Sequence, residues 1–244
     1  MDREILDNLV TAVSNGRTDI VRTLLSMYET GSNPHGTNLS CEQLLRELCS
    51  AYGTLLHLAT KLDHVDIVRT LLSSGAHVNI KNSIGETPLD LVESDKMTAA
   101  YVNELLECAG KSETDRICEL VNAGVDVNSQ DCPGSGNRAL HWAVCFDKPD
   151  AVHCLLSLRA SPNVVNCLGA TPLHEAVKRK NIEIVKALLN AGADPTIKSR
   201  KGKYFGRTPL QLAEGDEELT NILLVYTNKD SGSERIRTNS GCPI

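Results

Sequence analysis

The stretch Thr171–Asp194, TPLHEAVKRKNIEIVKALLNAGAD, decides how the chain is read. Pro172 directly follows a Thr, as at the first position of a helix, where a missing N–H costs nothing. Lys180-Asn181 reads as a polar turn. Ile184, Val185, Leu188 and Leu189 then fall at i, i+1, i+4 and i+5, which gives a second, longer helix one apolar stripe. Gly192 suits a left-handed C-terminal cap. The unit is therefore a short helix, a turn, a longer helix and a loop, with a stripe that needs neighbours.

Working outward, the same order recurs. The octapeptide DIVRTLLS occurs at 19–26 and again at 66–73, and weaker copies start at Asp115, Asp150 and Glu183. A second motif keeps its own beat: Leu55-Leu56-His57, Thr87-Pro88-Leu89-Asp90, Ala139-Leu140-His141, Thr171-Pro172-Leu173-His174 and Thr208-Pro209-Leu210-Gln211. Thr54 to Thr87 is 33 residues, and Arg138 to Thr171 is 33 again. A fixed period of this size means stacked repeats.

The TPLH-type helix start, the LL-x-x-GA end and the V-N or D-P step into the next loop resemble the ankyrin-repeat family over roughly residues 5–226. The resemblance implies an all-α solenoid of about six repeats plus a truncated half repeat, joined by β-hairpin-like fingers. The repeats are read as 5–30, 53–82, 86–100 (truncated), 101–131, 137–166, 170–199 and 207–226 within a domain spanning 1–226. It also implies that His57, His141 and His174 bridge backbone and Thr hydroxyls between loops. That reading outweighs a metal site, because the one His/Cys pair at i, i+4, His141 and Cys145, has no second pair beside it.

The period breaks in three places. The two octapeptides are separated by 14 residues more than one period; the excess falls in 27–53, with an insertion at 31–52. There Ser40 to Ala51 reads as an extra helix, capped by Ser40, with Leu44, Leu45 and Leu48 as its apolar side. Segment 98–109 fits equally as the end of the repeat begun at Thr87 or the start of the next, and the array is expected to bend or divide around 94–112. The finger before the last repeat is longer by four residues, around Arg200–Gly206. A helix at about 4–14 opens the array, and 227–244 reads as a polar, disordered tail.

Composition narrows the function. Of 244 residues, 41% are hydrophobic and only 3% aromatic, which suits helices filled with Leu, Val, Ile and Ala. A net charge of −6 argues against general nucleic-acid binding. Nine scattered cysteines without a CxxC pair read as reduced thiols, so the expected location is cytoplasmic, with the nucleus open as well. No secretory signal follows Met1, and no apolar run is long enough to span a bilayer. No phosphate-binding Gly motif or GxSxG elbow occurs, so no enzymatic activity and no cofactor are expected.

Partner binding is the function the resemblance implies, through finger tips and the exposed side of the short helices. Two features stand out there. Trp142 and Phe146 lie at i, i+4 on one short helix; two repeats on, Tyr204 and Phe205 lie among Lys198, Arg200, Lys201, Lys203 and Arg207, with Glu175, Lys178 and Arg179 between. Together they suggest aromatic anchors with a basic rim, suited to a protein segment bearing apolar anchors and acidic flanks, bound by a monomer. The plain alternatives are that Trp142 packs between helices and that the finger is simply solvated. Two further readings stand beside this one: the chain as the targeting part of a longer ankyrin-containing enzyme, and the finger 198–207 as a site for phosphate, a lipid headgroup or nucleic acid. Asn128, in Asp126-Val127-Asn128, sits in the context that asparaginyl hydroxylation favours in the family; an ordinary turn-bonding role is the alternative.

Overall fold

The computed structural model describes residues 3–29, 40–47, 53–131 and 134–233. It is helical, with no strand among those residues and an isolated bridge between Gln130 and Arg138. The chain divides into two compact units. One comprises Met1–Leu105 with Asp115–Asp126, the other Leu106–Thr114 with Val127–Ile244.

In the first unit, α1 (Arg3–Ser14) and α2 (Thr18–Glu29) form a helix pair, as do α4 (Leu55–Lys61) and α5 (Val65–Ser73). Helix α1 packs on α4 and α2 on α5, so like lies against like. Burying Leu9, Val13, Val21 and Leu25 against Leu55, Leu56, Leu71 and Leu72 removes both stripes from water, the main favourable term here. Between the pairs sits α3 (Cys41–Arg46), capped by Ser40 through a reciprocal bond with Gln43, with Leu44 and Leu45 buried. The cap and apolar side are those expected. The helix stops at Arg46, while Leu48 and most of 31–52 lie outside the described residues.

The next repeat is abbreviated. Its short helix is a single 3-10 turn, Pro88–Leu91. Then α6 runs unbroken from Asp95 to Lys111 and is followed by α7 (Thr114–Asn122). The expected boundary between residues 100 and 101 therefore falls inside one helix. Its Met97, Ala100, Tyr101, Leu105 and Leu106 are buried in sequence, with no Gly or Pro to interrupt them. Within this unit Tyr101 shares a 2.7 Å hydrogen bond with Thr60 Oγ1.

The second unit holds the regular repeats. Helices α8 (Ala139–Cys145), α10 (Pro172–Arg179) and α12 (Pro209–Leu212) form one layer; α9 (Pro149–Ser157), α11 (Ile182–Asn190) and α13 (Glu217–Ser233) form the other. The helix pairs are turned by residues in the left-handed region, Asp147 at φ 56° and Lys180 at φ 59°. Helix α13 continues past the expected end of order at 227 as far as Ser233; residues 234–244 lie outside the described residues. With Leu219 and Leu223 buried, each further residue needs only one propagating hydrogen bond.

Fingers project between the pairs. Each is a hairpin-like turn closed by backbone bonds, such as Asn166 N–H to Ala170 O at 3.0 Å and Ser199 N–H to Arg207 O at 3.0 Å. Neighbouring fingers are also tied together: Cys167 N–H donates to Ser135 O, and the Arg200 and Lys201 N–H groups both donate to Leu168 O at 2.9 Å.

Candidate partner-binding site

The histidines tie the short helices to the fingers. His174 Nδ1 accepts from Thr171 N–H at 3.1 Å and lies 2.8 Å from Thr171 Oγ1, while Nε2 meets Arg207 O at 3.2 Å. His57 repeats this with Thr54 and Glu86 O, and His141 with Arg138 N–H and Ala170 O. Because Nδ1 faces a donor, the proton sits on Nε2 and the ring is neutral. Burial holds all three below the usual imidazole range, His141 at about 4. Where the other repeats have Thr, Arg138 uses its guanidinium to reach Gly136 O and Val165 O, bridging two fingers. Among the described residues no group of three or more His, Cys, Asp or Glu is placed to hold a metal ion.

On the short-helix face of the second unit, Trp142 is half-buried and Phe146 is 55% exposed; their rings lie 5.6 Å apart at 30°. The Phe146 ring rests over Gly110, where a Cβ would come within 3.1 Å of it. Trp142 Nε1 is buried without a hydrogen-bond partner among the described residues. On the neighbouring helix α10, Glu175 accepts Tyr204 Oη–H at 2.7 Å, Lys203 Nζ at 3.1 Å and Arg179 Nε at 2.9 Å. Burial pushes this carboxyl up, but the three donors outweigh it and hold it below its usual range. Cys145 on α8 borders the same cluster; burial and the Glu175 charge raise its thiol.

The expected surface residues thus fall into three groups. Trp142 and Phe146 are brought together in one stack. Tyr204 is drawn inward, while Lys203 stays exposed and pairs with Glu175. Tyr204 is only 4% exposed, its ring stacks on His174 at 6.0 Å, and Lys203 Nζ lies 4.6 Å over it. The expectation of Tyr204 as an exposed anchor is therefore corrected: its hydroxyl finds a carboxylate and its ring covers an imidazole, so it clamps the finger to α10. Burial and the Glu175 carboxylate raise its phenol to about 12. Lys178, Arg200, Lys201, Phe205 and Arg207 stand exposed, and Arg179 is exposed although paired with Glu175. Asn128 is half-buried, with its Oδ1 accepting from Ser161 N–H of the next finger at 2.9 Å.

Two residues escaped the sequence reading. Glu175 was seen only as one charge among several, whereas it is the hub of the cluster. Leu168, 38% exposed, went unremarked, although it directly precedes a turn Gly just as Phe205 does.

Comparison with known sequences agrees with this geometry. The family profile described as ankyrin repeats (3 copies) matches residues 6–82 and 97–199. An ankyrin repeat protein of Fowlpox virus is 33% identical over 171 residues, 68% of this chain and 46% of that protein. The tyrosine-protein kinase Shark of Drosophila melanogaster is 31% identical over 232 residues, 90% of this chain and 22% of the kinase. The nuclear factor NF-kappa-B p105 subunit of Gallus gallus is 32% identical over 170 residues, 61% of this chain and 17% of that protein. The chain spans less than half the length of each of these relatives. With paired helices stacked like on like, fingers tied by buried histidines, and the family profile covering most of its length, the chain belongs to the ankyrin-repeat family.

Proposed function

We propose that this chain holds a partner protein against the short-helix face of its second unit, as a non-catalytic adaptor, scaffold or inhibitor. Ankyrin repeats in general mediate protein–protein contacts. The observation that carries the finer reading is the exposed Phe146 ring stacked on Trp142. A 55% exposed aromatic supported from below is a rigid apolar anchor, the residue type that dominates interface energetics. Lys178 and Arg179 stand on the neighbouring helix. Arg200, Lys201 and Arg207 add positive potential along the finger, which speeds encounter with an acidic partner. The partner segment carries an apolar side chain for the Phe146–Trp142 stack and acidic residues beside it.

The test is capture from lysate by the parent chain, by Phe146→Ser and by Lys178→Ala/Arg179→Ala, each first shown to melt like the parent. A partner retained by the parent and lost from both variants supports the site. Equal retention by all three removes it.

A second reading has one observation in its favour: the matched region is only 22% of the Drosophila kinase. On that reading this stretch targets a longer polypeptide that carries a catalytic domain. Immunodetection of the endogenous protein well above 26.5 kDa would support it.

A further inference from the structure

We infer that the tip of the finger 198–207 is a contact site for an anionic lipid surface, a function separate from the partner contact on α8. Phe205 is 73% exposed, and Leu168 on the adjoining finger is 38% exposed. Both directly precede the Gly of their turn, and the fingers are joined at Leu168 O by the N–H groups of Arg200 and Lys201. The two apolar groups thus stand at the ends of neighbouring, connected hairpins.

The charge around them is one-sided. Residues 197–208 contain Lys198, Arg200, Lys201, Lys203 and Arg207 and no Asp or Glu, in a chain whose net charge is −6. Lys203 is engaged by Glu175. Lys198, Arg200, Lys201 and Arg207 are exposed, and none has a carboxylate within ion-pair distance among the described residues. At physiological salt charges act over about 8 Å, so this cluster governs the potential at the tip whatever the distant acids contribute.

The finger is also held in shape. Ser199 N–H donates to Arg207 O, Gly206 N–H to Ser199 O, Ser199 Oγ to Leu168 O, and Tyr204 clamps the loop to Glu175. Phe205 is therefore presented, not collapsed. A projecting ring needs a medium that closes around it. A bilayer interface does so without a preformed cavity, and its headgroups meet the cations that ring the aromatic. Three of the five cations are Lys, a residue that protein interfaces deplete and whose long stem can lie along an apolar boundary with its ammonium among headgroups.

The test is partition of the full chain, with no partner protein present, onto phosphatidylcholine vesicles and onto vesicles with about one third phosphatidylserine. Binding to the second alone, falling as salt rises, is expected. Each surface cation contributes about fivefold, so Lys198→Ala/Arg200→Ala/Lys201→Ala should lose on the order of 100-fold. Phe205→Ser should lose about tenfold. Phe205→Trp should keep binding and show an emission blue shift on phosphatidylserine vesicles, a readout independent of any folding defect in the other variants. No partition onto phosphatidylserine at low salt overturns the proposal. So does binding that excess inorganic phosphate abolishes at constant ionic strength and that Phe205→Ser leaves unchanged, since the site would then read free phosphate. Retention of an immobilised polyglutamate peptide without vesicle binding would assign the finger to an acidic protein segment instead. Because the chain is measured alone, failure here leaves the partner reading on α8 untouched.

Discussion

Acid should weaken the second unit through His141 at a pH where its carboxylates are still ionised. In the folded chain Nδ1 accepts Arg138 N–H at 3.3 Å and Nε2–H donates to Ala170 O at 3.0 Å. A second proton would have to enter at Nδ1, facing an N–H, in a site that is 3% exposed and beside the Arg138 charge. Burial first, and the Arg138 charge with it, lower the folded pKa from 6.5 to about 4. The unfolded chain therefore binds the extra proton between pH 6.5 and 4, and stability rises with pH across that window. His141's contribution is complete above pH 6.5 and gone below pH 4. At about 1.36 kcal/mol per unit it totals about 3 kcal/mol, of which about 2 is lost by pH 5. His57 and His174, shifted the same way by burial, start to lose stability at the same upper edge. The depressed carboxyls Glu119 and Glu175 act only below their ordinary value of 4.5. Urea unfolding followed by circular dichroism from pH 7.5 to 5 checks the slope. His141→Gln should be less stable at pH 7.5 and should lack about 2 kcal/mol of the parent's decline. A direct NMR titration decides the reasoning: a His141 ring titrating near 6.5 in the folded chain refutes it.

Three further outcomes follow from the geometry. Gly169→Ala should destabilise by about 2 kcal/mol or more, seen as a drop in urea midpoint, because a Cβ there meets Arg200 N at 2.8 Å and the backbone sits at φ 73°. Arg159→Gly should stabilise by about 0.5–1 kcal/mol in the same assay: Arg159 holds φ 66° at a position where other repeats place Gly75, Gly124 and Gly192. Tyr204→Phe removes the phenol donor from Glu175, which keeps Lys203 and Arg179. It should cost about 1 kcal/mol, and faster amide exchange across 199–207 should localise the change to the finger.

Much of the architecture was legible because ankyrin-type units are built from local signals. Pro172 after Thr171, His174 three residues past the cap, and Gly192 after the stripe each answer a backbone need within a few residues, so spacing alone locates them. Ser40 was readable as a cap for the same reason: its partner Gln43 is three residues away. The boundary at 100/101 was not readable. Segment 95–111 is one helix-forming run, and nothing local marks or excludes a repeat boundary within it. The roles of the finger aromatics were equally hidden. Tyr204 and Phe205 are adjacent in a Lys-rich loop, and sequence treats them alike.

The sequence by itself determined the repeat, its phase and the charge on the last finger, since each depends on neighbours within about one helical turn or on composition. Tertiary structure decided which aromatic is used inside and which is left outside. Tyr204 is buried because Glu175, 29 residues earlier, offers its hydroxyl a carboxylate and His174 offers its ring a face. Phe205, with no polar tip to satisfy and no such partner, stays 73% exposed. That choice depends on two successive repeats coming into register, a long-range fact that only stacking supplies.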